Sequence, residues 1–205
     1  TLFGNDDPHF PVYILCGRLM YSFFSSGTNG AMKAIRTNAG MIKKVYVPKY
    51  IYPLSSVLFN YIIFLISLIV LVAVGIVLKV YPTVYMLQAV VPLVLILFTA
   101  FGVGMILSTL AVFFRDLEYL WSVGLMIIMY ASAIFYYPER ILNSGFGWIL
   151  KCNPLYLLIH NFRQAVFGRP MNMKFLAASI VFAIVSVIVG LYFFYKKQDE
   201  FILHI

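Results

Sequence analysis

Charge is what this chain has least of. Only 11% of its 205 residues are Asp, Glu, Lys or Arg, and the acids among them number 7. Soluble domains carry about 25% charged residues, so this chain cannot cover a water-facing surface, and a soluble enzyme or binding module is excluded. Cysteine is nearly as scarce. Cys16 and Cys152 are too few for a disulfide framework and say nothing about redox compartment. No phosphate-binding loop of the form GxxxxGK[ST] occurs, so nothing in the chain hydrolyses a nucleotide. His9, His160 and His204 lack ligand spacing with one another or with the cysteines, which argues against a metal centre. No Ser, His and acid are placed to form a hydrolase, so the chain is not an enzyme by itself.

Basic residues are the exception, at 15 Lys and Arg for a net charge of +8. In a soluble protein that surplus would suggest nucleic acid. With 63% hydrophobic residues and a mean hydropathy of +0.95 there is no soluble basic face to carry such a partner. The surplus reads instead as loops that stay inside during insertion and as contact with anionic lipid.

Long apolar runs fill the rest. Crossing a bilayer takes about 20 apolar residues. Residues 50–78 hold no charge over 29 positions and residues 80–114 none over 35, while 119–138 give 20 and 175–195 give 21. A fifth run, 10–32, is interrupted by Arg18 and by Gly17, Gly27 and Gly30, and these glycines predict a kink. The fold class is therefore an all-α polytopic membrane protein with five transmembrane helices in this chain.

Orientation follows from residues 33–49, KAIRTNAGMIKKVYVPK, with five cations and no acid. Short loops of this kind remain cytoplasmic. Threading outward from this hinge puts the stretch YPTVYMLQ at an outer turn, Arg115, Asp116 and Glu118 in a short inner loop, residues 139–174 outside, and the tail KKQDEFILHI inside. Asp116 and Glu118 read as a solvated loop. The same threading leaves the N-terminus outside with no export signal, which predicts one more span upstream and a six-span whole.

Within 139–168 the apolar stretches 141–150 and 152–162 are too short to cross and suit a re-entrant hairpin in the outer leaflet. Its second helix is well punctuated, with Asn153 as cap, Pro154 in the first turn, and Gly168 followed by Pro170 at the end. Leu155, Leu158, Ile159, Phe162 and Val166 form an apolar stripe; Tyr156, His160, Arg163 and Phe167 form a mixed one. Trp148 and Tyr156 would hold the hairpin in place. Arg18 either faces an aqueous path or a phosphate-bearing substrate, or snorkels to the outer interface. Most aromatics are packing or interface belt; those facing a pore could stack on sugar rings. Gly102, Gly104 and Ser108 read as close helix packing.

Four ordered segments carry a resemblance: CGRLMYSFFSSGTN, NAGMIKKVYVPKYIYPLS, VFFRDLEYLW and NPLYLLIHNFRQAVFG, followed by the closing FYKKQDEFILHI. Together they resemble the permease subunits of type-2 ATP-binding-cassette exporters for cell-surface polysaccharides such as O-antigen, capsule and teichoic acid. The resemblance covers nearly the whole chain. It implies one permease domain over 1–205, lacking an amphipathic helix and first span that family members carry upstream. It implies a homodimer over two separate ATPase subunits that hold the ATP and Mg, with no cofactor in this chain. A lipid-diphosphate-linked polysaccharide would be the substrate, in a bacterial cytoplasmic membrane. The hinge, with Met41, Ile42, Lys43, Lys44, Val45, Tyr46, Pro48 and Lys49, would couple to the ATPase, and the turn at Arg115 and Asp116 would be a second contact. Arg18, Tyr21, Phe23, Phe24, Trp121, Tyr130 and Tyr136 would be candidates for the sugar path. Trp148, Asn153, Pro154, Tyr156 and Arg163 would belong to an outer gate. Arg18 departs from the apolar or neutral residue expected there. The hinge lysines are open to a second reading, as topology signals alone. A type-2 exporter of drugs or another lipid, and a non-transporting scaffold, remain alternatives.

Overall fold

The computed structural model describes residues 9–45, 47–79, 83–138 and 147–201, and every regular element among them is helical. A backbone in hydrocarbon must satisfy its own polar groups, which the helix does within one segment. Helix α1 (Phe10–Thr37) is followed by the single turn α2 (Ala39–Ile42) and then by α3 (Ile51–Val77). A 3-10 segment, Val84–Ala89, leads into α4 (Val90–Phe113). Then come α5 (Leu117–Tyr130), α6 (Gly147–Cys152), α7 (Pro154–Val166) and α8 (Met173–Lys197).

Three of these are long and apolar enough to cross a membrane: α3, the continuous stretch Val84–Phe113, and α8. The fold is thus a polytopic membrane protein, but not with five equal spans. At 28 residues α1 has the length, yet its polar residues keep it below the apolarity of the other three. The run 119–138 forms a helix of only 14 residues, about 21 Å long against a hydrocarbon core of about 30 Å. Beyond Tyr130 the backbone turns irregular, and Ala133 takes a φ of +48°.

Apolar side chains gain nothing from leaving lipid for protein, so close contact has to hold the helices together. The tightest contact is α4 on α8. A Cβ on Gly102 would lie 2.5 Å from the Ser186 carbonyl carbon, and one on Gly190 would lie 2.5 Å from the Gly102 carbonyl oxygen. The two backbones touch, as the small residues of this run predict. Two glycines of α1 are notches of the same kind, and none is a break, since the helix continues through all of them. Gly17 makes room for Arg163 and Gly30 for Ser56, while a Cβ on Gly27 would meet only ordinary contacts.

Helix α7 departs most from expectation. Its caps are as the sequence predicts: Asn153 Oδ1 accepts from the Leu155 amide, and Gly168 takes a φ of +67°. The amides of Gly168 and Arg169 return to the carbonyls of Ala165 and Gln164, closing the helix with a Schellman motif. Instead of floating in a lipid interface with one stripe inward, α7 is covered by protein on almost every side. Leu155, Tyr156, Leu158, Ile159, Asn161, Phe162 and Arg163 are all buried, against α8, α1, α4 and the 3-10 segment. Residues 139–146 of the expected hairpin lie outside the described residues.

Candidate functional site

At the hinge end, α1 runs on to Thr37, so the first residues of the basic segment are helical, and the described residues 43–45 and 47–50 belong to the connection before α3. Met41, Lys43, Lys44, Val45 and Pro48 are exposed, whereas Ile42 turns inward. It packs in a cluster with Ile35, Tyr52, Met105, Val112, Phe194 and Phe201. Lys49 is half-buried and donates from Nζ to the Gln198 carbonyl at 2.5 Å, which ties the hinge to the chain after α8. Tyr46 and His204 lie outside the described residues.

The turn after α4 is brought beside this hinge by one residue that sequence reasoning left in solvent. Glu118, at the start of α5, pairs with Arg36 at the end of α1 and with Lys33, 3.4 Å away. Arg115 and Asp116, just before it, are exposed. The signal for Glu118 was present only as one of two acids in a short turn of a basic chain. Its partners sit some eighty positions upstream, where no local pattern points to them.

Further along, α1 and α5 are linked by long polar side chains. Trp121 donates from Nε1 to Thr28 Oγ1 at 3.2 Å, and the Tyr21 hydroxyl donates to the Leu125 carbonyl at 3.0 Å. Phe24 packs against Trp121, while Phe23 stacks with Phe64; both phenylalanines are buried inside the protomer. They belong to its core cluster, and Phe23 also lines a small cavity between α1 and α3. Tyr130 is exposed, and Tyr136, half-buried, donates to the Tyr130 carbonyl at 2.6 Å.

At the far end, Arg163 organises the irregular backbone after α5. Its Nε donates to the Tyr13 carbonyl (3.1 Å), Nη1 to Ala133 (3.0 Å) and Nη2 to Ile134 (3.2 Å). Its Cζ lies 3.5 Å from the centroid of the Tyr13 ring. The residue is 5% exposed. Asn153 adds a bond from Nδ2 to Ser132 Oγ at 2.9 Å. A broken helix at membrane depth needs such donors, because lipid offers none. Tyr156 is buried against Phe175, while Trp148 points outward, 63% exposed.

The family description ABC-2 type transporter matches residues 1–167. The chain belongs to that family. Among curated relatives, two O-antigen export system permease proteins RfbA of Klebsiella pneumoniae are 30% and 32% identical to it over 197 residues. Each alignment covers 95% of this chain and 75% of the relative. A protein of the same name from Myxococcus xanthus is 28% identical over 198 residues.

In this ABC-2 transporter the exposed face of α1 acquires a meaning. Arg18, Ser22, Ser26 and Lys33 are exposed and Asn29 is half-buried. Their spacing of four, four, three and four puts them on one face of the helix. Asn60 and Ser67 of α3 face the same side, and with Ser22 and Ser26 they form the polar half of a small cavity of about 60 Å³ whose other lining residues are Leu19, Phe23, Ile63 and Phe64. Polar groups at membrane depth face protein or water, not hydrocarbon. Arg18 therefore heads a continuous polar stripe. The sequence signal was its period, which the interrupting aromatics concealed.

Proposed function

We propose that this ABC-2 transporter chain is the membrane subunit of an ATP-driven exporter that moves a lipid-diphosphate-linked polysaccharide, of the O-antigen kind, across a bacterial cytoplasmic membrane. In this reading two copies sit on two ATP-binding-cassette subunits, with the hinge and the C-terminus on the cytoplasmic side. Identity with O-antigen export permeases along 95% of the chain supports the substrate class. The observation that carries the path is the polar stripe Arg18, Ser22, Ser26 and Lys33 on a helix otherwise embedded among apolar ones. A glycan is a chain of hydroxyls, and a wall of small hydroxyl side chains exchanges hydrogen bonds with it at similar strength from one sugar to the next. Such a wall permits sliding where tight recognition would stall it.

Exposed Met41, Lys43, Lys44 and Val45 form the surface on which ATPase closure acts. Buried Ile42 and bonded Lys49 pass that displacement to the helices. The deciding measurement is ATP hydrolysis by the complex purified with its partner subunits in lipid nanodiscs. A polyprenyl-diphosphate glycan stimulates hydrolysis and hydrophobic drugs do not; Ser22→Leu with Ser26→Leu removes the stimulation and leaves assembly intact. Stimulation by drugs alone, or full glycan stimulation in the double variant, overturns the assignment. Lys43→Glu with Lys44→Glu leaves insertion normal and abolishes export if these lysines couple, whereas normal export reduces them to topology signals.

A further inference from the structure

The end of the fold opposite the hinge holds a cavity of about 210 Å³, with Tyr13, His160, Arg163, Gln164, Phe167 and Arg169 in its wall. A neighbouring cavity of about 420 Å³ shares His160, Gln164 and Arg169. Two guanidinium groups therefore face one space, and no carboxylate lines it among the described residues. Arg163 is the informative member. Three carbonyls occupy three of its five N–H donors, and Tyr13 covers one face, but no acid among the described residues pairs with its charge. A buried cation without a counter-charge is costly. Burial and the nearby Arg163 hold the His160 imidazole below its ordinary range, so it serves as a neutral hydrogen-bonding group beside Gln164 Nε2, 3.5 Å away.

From this we infer that the cavity is a binding site for a phosphate or diphosphate group, held between Arg163 and Arg169 with His160 and Gln164 as neutral partners. Guanidinium forks match phosphate oxygens, and such a ligand supplies the negative charge that no described residue offers in this cavity. Two sources present that chemistry at this depth: the headgroup of an anionic lipid, and the diphosphate of the transported lipid-linked glycan. The second source rests on the export reading above; the site itself does not.

The test uses the permease–ATPase complex in phosphate-free maltoside detergent, with a non-hydrolysable ATP analogue filling the partner sites. Inorganic diphosphate is titrated calorimetrically into wild type, Arg169→Gln and His160→Gln. The site predicts binding in wild type that weakens about tenfold when one charge-assisted contact is removed with Arg169, and less with His160→Gln. Equal binding in wild type and Arg169→Gln, or no binding in wild type, overturns it. Displacement of diphosphate by short-chain phosphatidylglycerol assigns the site to lipid. Displacement by a soluble sugar diphosphate alone assigns it to the transported group. No diphosphate binding in wild type, with glycan-stimulated hydrolysis intact, removes the cavity proposal and leaves the exporter standing.

Discussion

A helix that stops inside an apolar layer leaves carbonyls without donors, and Arg163 meets two of them, Ala133 and Ile134, from a helix some thirty residues on, while its third bond reaches the Tyr13 carbonyl within α1. Removing it as Arg163→Met withdraws the guanidinium from both carbonyls after α5 at once. Each unsatisfied group costs about 1–3 kcal/mol, so thermal unfolding of the purified protein should show a large loss, with Arg163→Lys recovering only part because its point charge cannot fork. Gly17→Ala should weaken the fold by about 1–3 kcal/mol from overpacking. The new methyl would sit 2.5 Å from Arg163 Nη2, which its carbonyl partners prevent from moving aside. An unchanged melting temperature in Arg163→Met would refute the role. At this scale the sequence was legible where the cause is local. Asn153, Pro154 and Gly168 announced both ends of α7 because a cap depends on neighbours two or three positions away. Arg163 showed itself only as one residue of a mixed stripe, and Glu118 was read as solvated, because the partners of both are distant in the chain.

Between elements, the α4–α8 crossing sets the strongest geometric limit. Gly102→Val inserts an isopropyl group where backbone meets backbone, and should destabilise the protein by roughly 1–3 kcal/mol or more. Gly75→Ala, in α3 with no neighbour within 4 Å of the new Cβ, should be neutral or stabilising by up to about 1 kcal/mol. Denaturation in a graded detergent series separates the two. Helices α3, α4 and α8 were readable as charge-free runs because burial in lipid acts on composition. The end of α5 was not. The run 119–138 stays apolar to its last residue, and hydropathy has no means of registering that the carbonyls of Ala133 and Ile134 have been claimed by a side chain on α7. In the same way, the apolar and mixed stripes of α7 identified its two faces without revealing that protein covers both.

Across the whole molecule, ties between α1 and α5 run from one end to the other: Glu118 with Arg36 and Lys33, Trp121 with Thr28, Leu125 with Tyr21, and the irregular turn with Arg163 and Tyr13. Only the first is ionic, and its members are partly exposed, so its contribution to stability is at most about 1 kcal/mol. Its effect should appear in transport. Glu118→Arg places like charges together and should depress glycan export with membrane levels unchanged, and Arg36→Glu in the same chain should restore much of it. No recovery in the paired variant means that the contact does not govern transport. Which helices meet was beyond the sequence, since the apolar runs are interchangeable as partners until the notches at Gly17, Gly30, Gly102 and Gly190 are matched with what fills them.

One consequence of the uninterrupted α1 is mechanical. A helix of 28 residues is about 42 Å long, so a tilt of about 5° pivoted at one tip sweeps the other through about 4 Å. That stroke exceeds the length of any hydrogen bond holding Arg163 to its carbonyls. Because Gly17 and Gly30 of α1 are filled notches and not flexible joints, little of the rotation is absorbed along the way. On the export reading, the helix would act as a lever pivoting near the basic hinge, so that a displacement too small to break contacts there is large enough to do so at the opposite tip.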